Sequence, residues 1–164
     1  MIAEAGHYAL VLALALALLQ SVVPIWGAKS GDAALMRTAP ATALAQLAFI
    51  GLAFGALVHA NVTSDFSLLN VVENSHSAKP LLYKVTGVWG NHEGSMLLWV
   101  LILALFGAMV AAFGGNLPDR LKALVLSVQA WIATAFLLFI LFTSNPFLRL
   151  VPAHAVRDPQ AHAR

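Results

Sequence analysis

Trp89, His92, Glu93 and Trp99 share one short stretch, "VTGVWGNHEGSMLLWV" (85–100). An imidazole, a carboxylate and two indoles so close together fit several chemistries, and the spacing tests each. A zinc-protease site on H-E-x-x-H needs a second histidine, but position 96 is Met. A G-x-S-x-G nucleophile elbow is absent from "HEGSM", as is its strand-turn-helix setting. An axial histidine for haem is chemically open, since imidazole is a standard ligand to the iron. His59, at the end of another apolar run, is the candidate partner for His92 in a bis-histidine arrangement. The same residue types also serve a plain structural purpose. Tryptophan is enriched where helices enter membranes, and His and Glu there are often solvated caps. On one continuous helix, turning about 100° per residue, Trp89, His92, Met96 and Trp99 share a face. Gly90 and Gly94 argue against helix in the first turn. Glu93 falls near the positive end of the helix that follows, a favourable place for a carboxylate.

The elements that must position these groups are written in long apolar blocks. A helix crossing a bilayer needs about 20 apolar residues. Four blocks qualify, at 7–27, 41–61, 94–114 and 123–143, and none contains Asp, Glu, Lys or Arg. The Ala-Leu alternation at 13–18 has the period of a strand, but the runs are too long and too uniformly apolar for a membrane strand. A lone strand in lipid would also leave its backbone groups unpaired. The expected class is therefore all-α: a polytopic membrane bundle of four transmembrane helices, forming part of a larger bundle. The tail 151–164 is polar and rich in Ala, Pro, His and Arg, and is expected to be a truncated or disordered end.

Composition supports this class and excludes others. The chain has 164 residues, 60% hydrophobic and only 10% charged, far less charge than a soluble domain carries. A net charge of +2 without a basic stripe gives no reason to expect nucleic acid. With no Cys, thiol chemistry must come from another protein. The first 28 residues contain no Lys or Arg, so the first apolar run reads as a retained helix and not a signal peptide. Lys29, Arg37, Arg120 and Lys122 crowd two short loops, whereas five cations spread over the 62–93 loop and the tail. That density places the short loops in the cytoplasm, and the N-terminus, the 62–93 loop and the tail outside.

Inside the spans, Gly51 and Gly55 have the spacing that lets helices approach closely, or else reflect ordinary glycine use in membrane helices. Pro24 is expected to kink or end the first helix locally. Gln20, Gln46 and Gln129 need amide partners in lipid and should face other helices.

Four stretches carry a family resemblance. "YKVTGVWGNHEGSMLLWVLIL" (Tyr83–Leu103) resembles the signature near the start of CcmF-type cytochrome c biogenesis proteins, the haem lyase branch of the haem-handling superfamily. "GHYALVLALALALLQSVVPIWGA" (6–28), "DFSLLNVVENSHSAKPLLYK" (65–84) and "LLFILFTSNPFLRL" (137–150) are similar to its first helix, first outward loop and fourth helix end, in the family's order. The resemblance implies a multi-pass protein of the bacterial inner membrane that helps attach haem to apocytochrome c on the periplasmic side. It implies haem as cofactor, and a haem chaperone, apocytochrome c and other maturation proteins as partners. Family members are several times longer. Their Trp-rich loop and haem-ligating histidines come later, so this stretch alone is not expected to ligate haem.

The leading expectation is a component of the cytochrome c maturation system, with Trp89, His92, Glu93 and Trp99 lining or supporting a haem-facing vestibule. The alternatives are a b-type haem electron carrier using His59 and His92, a small transport bundle, or a fragment without independent activity. Transport ranks low because the spans lack the buried charges that ion pathways use.

Overall fold

The computed structural model describes residues 1–149, and the 151–164 tail lies outside them. Helix α1 (Ile2–Ser30) leads through the single turn α2 (Ala33–Met36) into α3 (Thr38–Val62). Two short helices, α4 (Leu69–Asn74) and α5 (Leu81–Thr86), interrupt the long connection to α6 (His92–Phe113). A 3₁₀ turn at Gly114–Asn116 precedes α7 (Asp119–Phe142). Among the described residues all regular structure is helical, apart from an isolated antiparallel bridge between Leu68 and Arg149. The four long helices are apolar and long enough to cross a membrane. Each extends two to five residues beyond the N-terminal edge of the uncharged run, because polar residues at the membrane boundary continue the helix into water.

The long helices close a ring. α1 packs on α3 and α7, and α6 fills the remaining side between α3 and α7. The packing reverses the habit of soluble bundles. The core is built largely of alanine, including Ala9, Ala13, Ala17, Ala53, Ala60, Ala104, Ala130 and Ala133. Leu12, Leu18, Leu52, Ile102, Phe106 and Val128 point outward. In lipid a large apolar side chain gains little by turning inward, so close helix contact decides which residues face in, and small ones win. The period-two pattern at 13–18 is thus resolved on a helix whose Ala13 and Ala17 face in while Leu18 faces out.

At two places the structure removes one of the alternatives that the sequence left. Pro24 does not end α1, which runs six residues further and stops at Gly31, whose φ of 75° is left-handed. Asp32 then caps α2 by accepting from the backbone N–H of Ala34 at 2.8 Å. A proline removes only one backbone donor, and inside a bundle tertiary contacts hold the helix through it. Gly51 and Gly55 are not close-approach points. A Cβ at Gly55 would meet nothing within 4 Å, and at Gly51 only Leu101 at 4.0 Å. Tight contacts between helices lie instead at Gly107, where a Cβ would overlap the Gln129 amide, and at Gly6, where it would crowd Ala56 of α3 and Phe147.

The glutamines do face other helices. Gln46 donates to the Gln20 side-chain oxygen at 2.7 Å, and Gln20 donates to the Leu126 carbonyl at 2.8 Å. This chain of bonds ties α3, α1 and α7 together in the dry interior. Gln129 donates to the Leu103 carbonyl at 2.5 Å, joining α7 to α6.

One end of the ring gathers the N-terminus, the 62–93 connection and the residues after α7. Arg149 meets Glu4 at 3.1 Å, Leu69 N–H bonds the Leu148 carbonyl at 3.0 Å, and a cleft joins Met1, His59 and Asp65. The opposite end gathers the two short connections, where Arg37, Asp119 and Lys122 line one cleft.

Candidate functional site

Helix α6 begins at His92, so the helix does not run back through Gly90 to Trp89, as the glycines there argued. Asn91 is the N-cap, its side-chain oxygen accepting from Gly94 N–H at 2.7 Å. An Asn at this position satisfies one of the four donors that every helix start leaves open. The same amide works backwards. Asn91 Nδ2 donates to the carbonyls of Gly87 and Val88 at 3.2 and 3.3 Å. The strand of chain from Gly87 to Asn91 is thereby folded over the first turn of α6. That fold is tight enough that a Cβ at Gly94 would overlap the Val88 carbonyl oxygen.

Asn70 on α4 completes a latch. Its Nδ2 donates to Asn91 Oδ1 at 3.1 Å and to Glu93 Oε2 at 3.2 Å. Asn70 is buried and Glu93 half-buried. The Glu93 carboxylate thus sits in the first turn of α6, where the helix dipole favours it, and anchors the 62–93 connection to the bundle. Lys84 on α5 adds a second tie, reaching Ser64 Oγ at 2.7 Å.

The four residues singled out in the sequence have four separate surroundings. Trp89 lies outside the helix and stacks on Phe54 of α3, with ring centroids 6.5 Å apart and planes 19° from parallel. It remains 40% exposed. His92 turns the other way, edge-on to Phe139 of α7 at 6.1 Å. With Met96, Ala135 and Phe136 they frame a shallow apolar groove of about 290 Å³. Glu93 faces Asn70 and not His92. Trp99 stands 66% exposed on the outer face of α6, outside that groove. The shared face therefore holds for His92, Met96 and Trp99, all on α6, but not for Trp89, because the chain turns at Gly90 before the helix starts.

His59 and His92 do not form a pair. His59 lines the cleft with Met1, Ala3 and Asp65, whereas His92 lines the groove against α7. The bis-histidine arrangement needs both rings on one iron, and the helices hold them in separate clefts. The residues present therefore do not fit a haem ligated from two sides. They fit contact with the face or edge of a flat apolar group. Three residues before Trp89 the chain leaves α5, which exposes Leu81, Leu82 and Tyr83. An aromatic and aliphatic shelf of this kind gains by covering such a group.

Sequence reasoning missed Asn70, Asn91, Phe54 and Phe139. Asn91 carried a readable signal, an Asn immediately before a helix. The other three act through contacts across the fold, which spacing along the chain does not reveal.

Comparison with known proteins agrees with this architecture. Residues 89–160 match the family model described as Cytochrome C assembly protein. The chain is 73% identical over 150 residues to the cytochrome c-type biogenesis protein CycK of Bradyrhizobium diazoefficiens, covering 92% of this chain and 23% of that protein. It is 51% identical over 152 residues to the cytochrome c-type biogenesis protein CcmF of Pseudomonas aeruginosa, covering 93% and 23%. A solved structure of cytochrome c heme lyase CcmF superposes with a TM-score of 0.85 at 30% identity, over 93% of this chain and 26% of that one. The chain thus spans about a quarter of the length of the relatives it matches.

Proposed function

The chain belongs to the CcmF-type family of cytochrome c-type biogenesis proteins, and from that premise we propose that it serves cytochrome c maturation as part of a haem-attaching membrane component. Its long apolar helices and its relatives make it a multi-pass inner-membrane protein. In this reading its outer end walls a vestibule through which haem meets apocytochrome c. The haem arrives from a haem chaperone, and the thiols that receive it belong to the apocytochrome. The observation that carries the reading is Trp89. It is stacked on Phe54, backed by a chain segment that Asn91 and Asn70 fix, and preceded in the chain by the exposed apolar residues of α5. A ring held this way offers a rigid, half-open aromatic face, suited to orienting a porphyrin without ligating its iron.

The expected test uses a full-length relative with which this chain aligns. Trp89→Ala and His92→Ala should each lower holocytochrome c yield roughly tenfold at unchanged protein level, the scale on which a displaced positioning surface slows a reaction. Trp89→Tyr should retain most of the yield. Full yield from both alanine variants would leave the cluster as a membrane-edge anchor and nothing more.

The reading also sets an orientation, with the Trp89 end on the periplasmic side, supported by the dense cations of the short loops. Ser77→Cys, at an exposed position of the outer connection, should react with a membrane-impermeant maleimide added to intact cells with a permeabilised outer membrane. Labelling only after the inner membrane is opened would place the site on the wrong side.

A further inference from the structure

At the end of the bundle opposite Trp89, α1 and α7 part to leave a cleft of about 600 Å³. Its chemistry is graded along the helix axis. Lys29 stands at the rim, in the last turn of α1. Trp26 forms the upper wall, and Val22 and Ile25 form the apolar middle. Trp131 closes the inner end against Ser21, roughly 12 Å below Lys29 at the rise of a helix.

Trp131 is the unusual part. Tryptophan favours the membrane boundary, yet Trp131 lies in the middle of α7 and stands 62% exposed. At that depth its N–H has no water to bond, and it donates instead to the Ser21 carbonyl of α1 at 2.9 Å. That bond fixes the ring as a wall bridging two helices. The rim is equally defined. The Ser30 hydroxyl closes back on the Trp26 carbonyl at 2.9 Å, so Lys29 is the free donor at the mouth. Lys29 takes part in no ion pair among the described residues. The short connections around it carry Lys29, Arg37, Arg120 and Lys122 against Asp32 and Asp119, and Asp32 is engaged in capping α2.

We propose that this cleft binds one anionic phospholipid, with its phosphate at Lys29 and an acyl chain lying between Trp26 and Trp131. Lys29 at the rim selects a net negative headgroup, and the apolar slot below selects an amphiphile over a free anion. The proposal is independent of the haem reading, because it concerns the other end of the bundle.

Native mass spectrometry of the whole chain, released from micelles holding equal phosphatidylglycerol and phosphatidylcholine with matched acyl chains, tests it. One phosphatidylglycerol should remain bound per chain, favoured about fivefold over phosphatidylcholine, as expected for one lysine at a membrane surface. Lys29→Gln, at an exposed helix end, should abolish that preference while helicity stays unchanged. Trp131→Phe should weaken retention of both lipids, and millimolar inorganic phosphate should displace neither. Equal retention of the two lipids, or a preference that survives Lys29→Gln, overturns the proposal. So does a lipid-free chain pair, which would make a second copy the occupant.

Discussion

Gly94→Ala is expected to release the 62–93 connection from the bundle. The added Cβ overlaps the Val88 carbonyl oxygen, a backbone atom that cannot rotate away. Val88 is fully buried, and its carbonyl accepts from Asn91, so relief requires moving the whole 87–91 turn. That movement breaks the cap on α6 and separates Asn70 from Glu93. Overpacking against backbone costs about 3 kcal/mol, well over a hundredfold in the folding equilibrium. Two measurements check it: the unfolding midpoint in mixed detergent micelles, and protease cleavage within 62–93. Both should shift together. Gly55→Ala is the internal control, since its Cβ meets open space. It should be neutral, or stabilising by up to about 1 kcal/mol, through helix propensity alone. A Gly94→Ala protein as stable as the control would show that the turn does not lie over α6.

The second large effect concerns the buried amides. Gln46→Leu removes the donor to Gln20, and Gln20→Leu strands the Gln46 amide in an interior without water. Each single change should cost about 1–2 kcal/mol, at the upper end for polar contacts between membrane helices. The double variant should recover much of the loss, because replacing both partners leaves only the Leu126 carbonyl without its extra donor. A double-mutant cycle on unfolding in micelles measures the coupling. Additive costs would mean that the two amides do not interact.

How much of this was legible in the sequence follows from what lipid does to each signal. The four spans were readable because an apolar solvent demands uninterrupted apolar runs, and the helices fall where those runs lie. The need of Gln20, Gln46 and Gln129 for partners was readable for the same reason, since an amide in a span has nowhere else to bond. Which residues face inward was not. Ala and Leu are both apolar, and the choice between them depends on how near the neighbouring helix comes. Thus Gly51 and Gly55 fitted a packing motif and touch almost nothing, whereas Gly107 belonged to no motif and receives the Gln129 amide. At the candidate site the cluster was visible as a cluster. Its division was hidden, because the turn at Gly90 sends Trp89 to α3 and His92 to α7.

The small bridge between Leu68 and Arg149 has a mechanical meaning. Where the fourth span hands over to the rest of the polypeptide, its backbone is clasped to the segment that leads straight into Asn70. From Asn70 the linkage passes to Asn91 and Glu93, and so to the turn that carries Trp89. A pull or twist applied just past Arg149 therefore acts as a lever on the aromatic shelf. Motion in distant regions of a longer relative has a short, stiff route by which to tilt it.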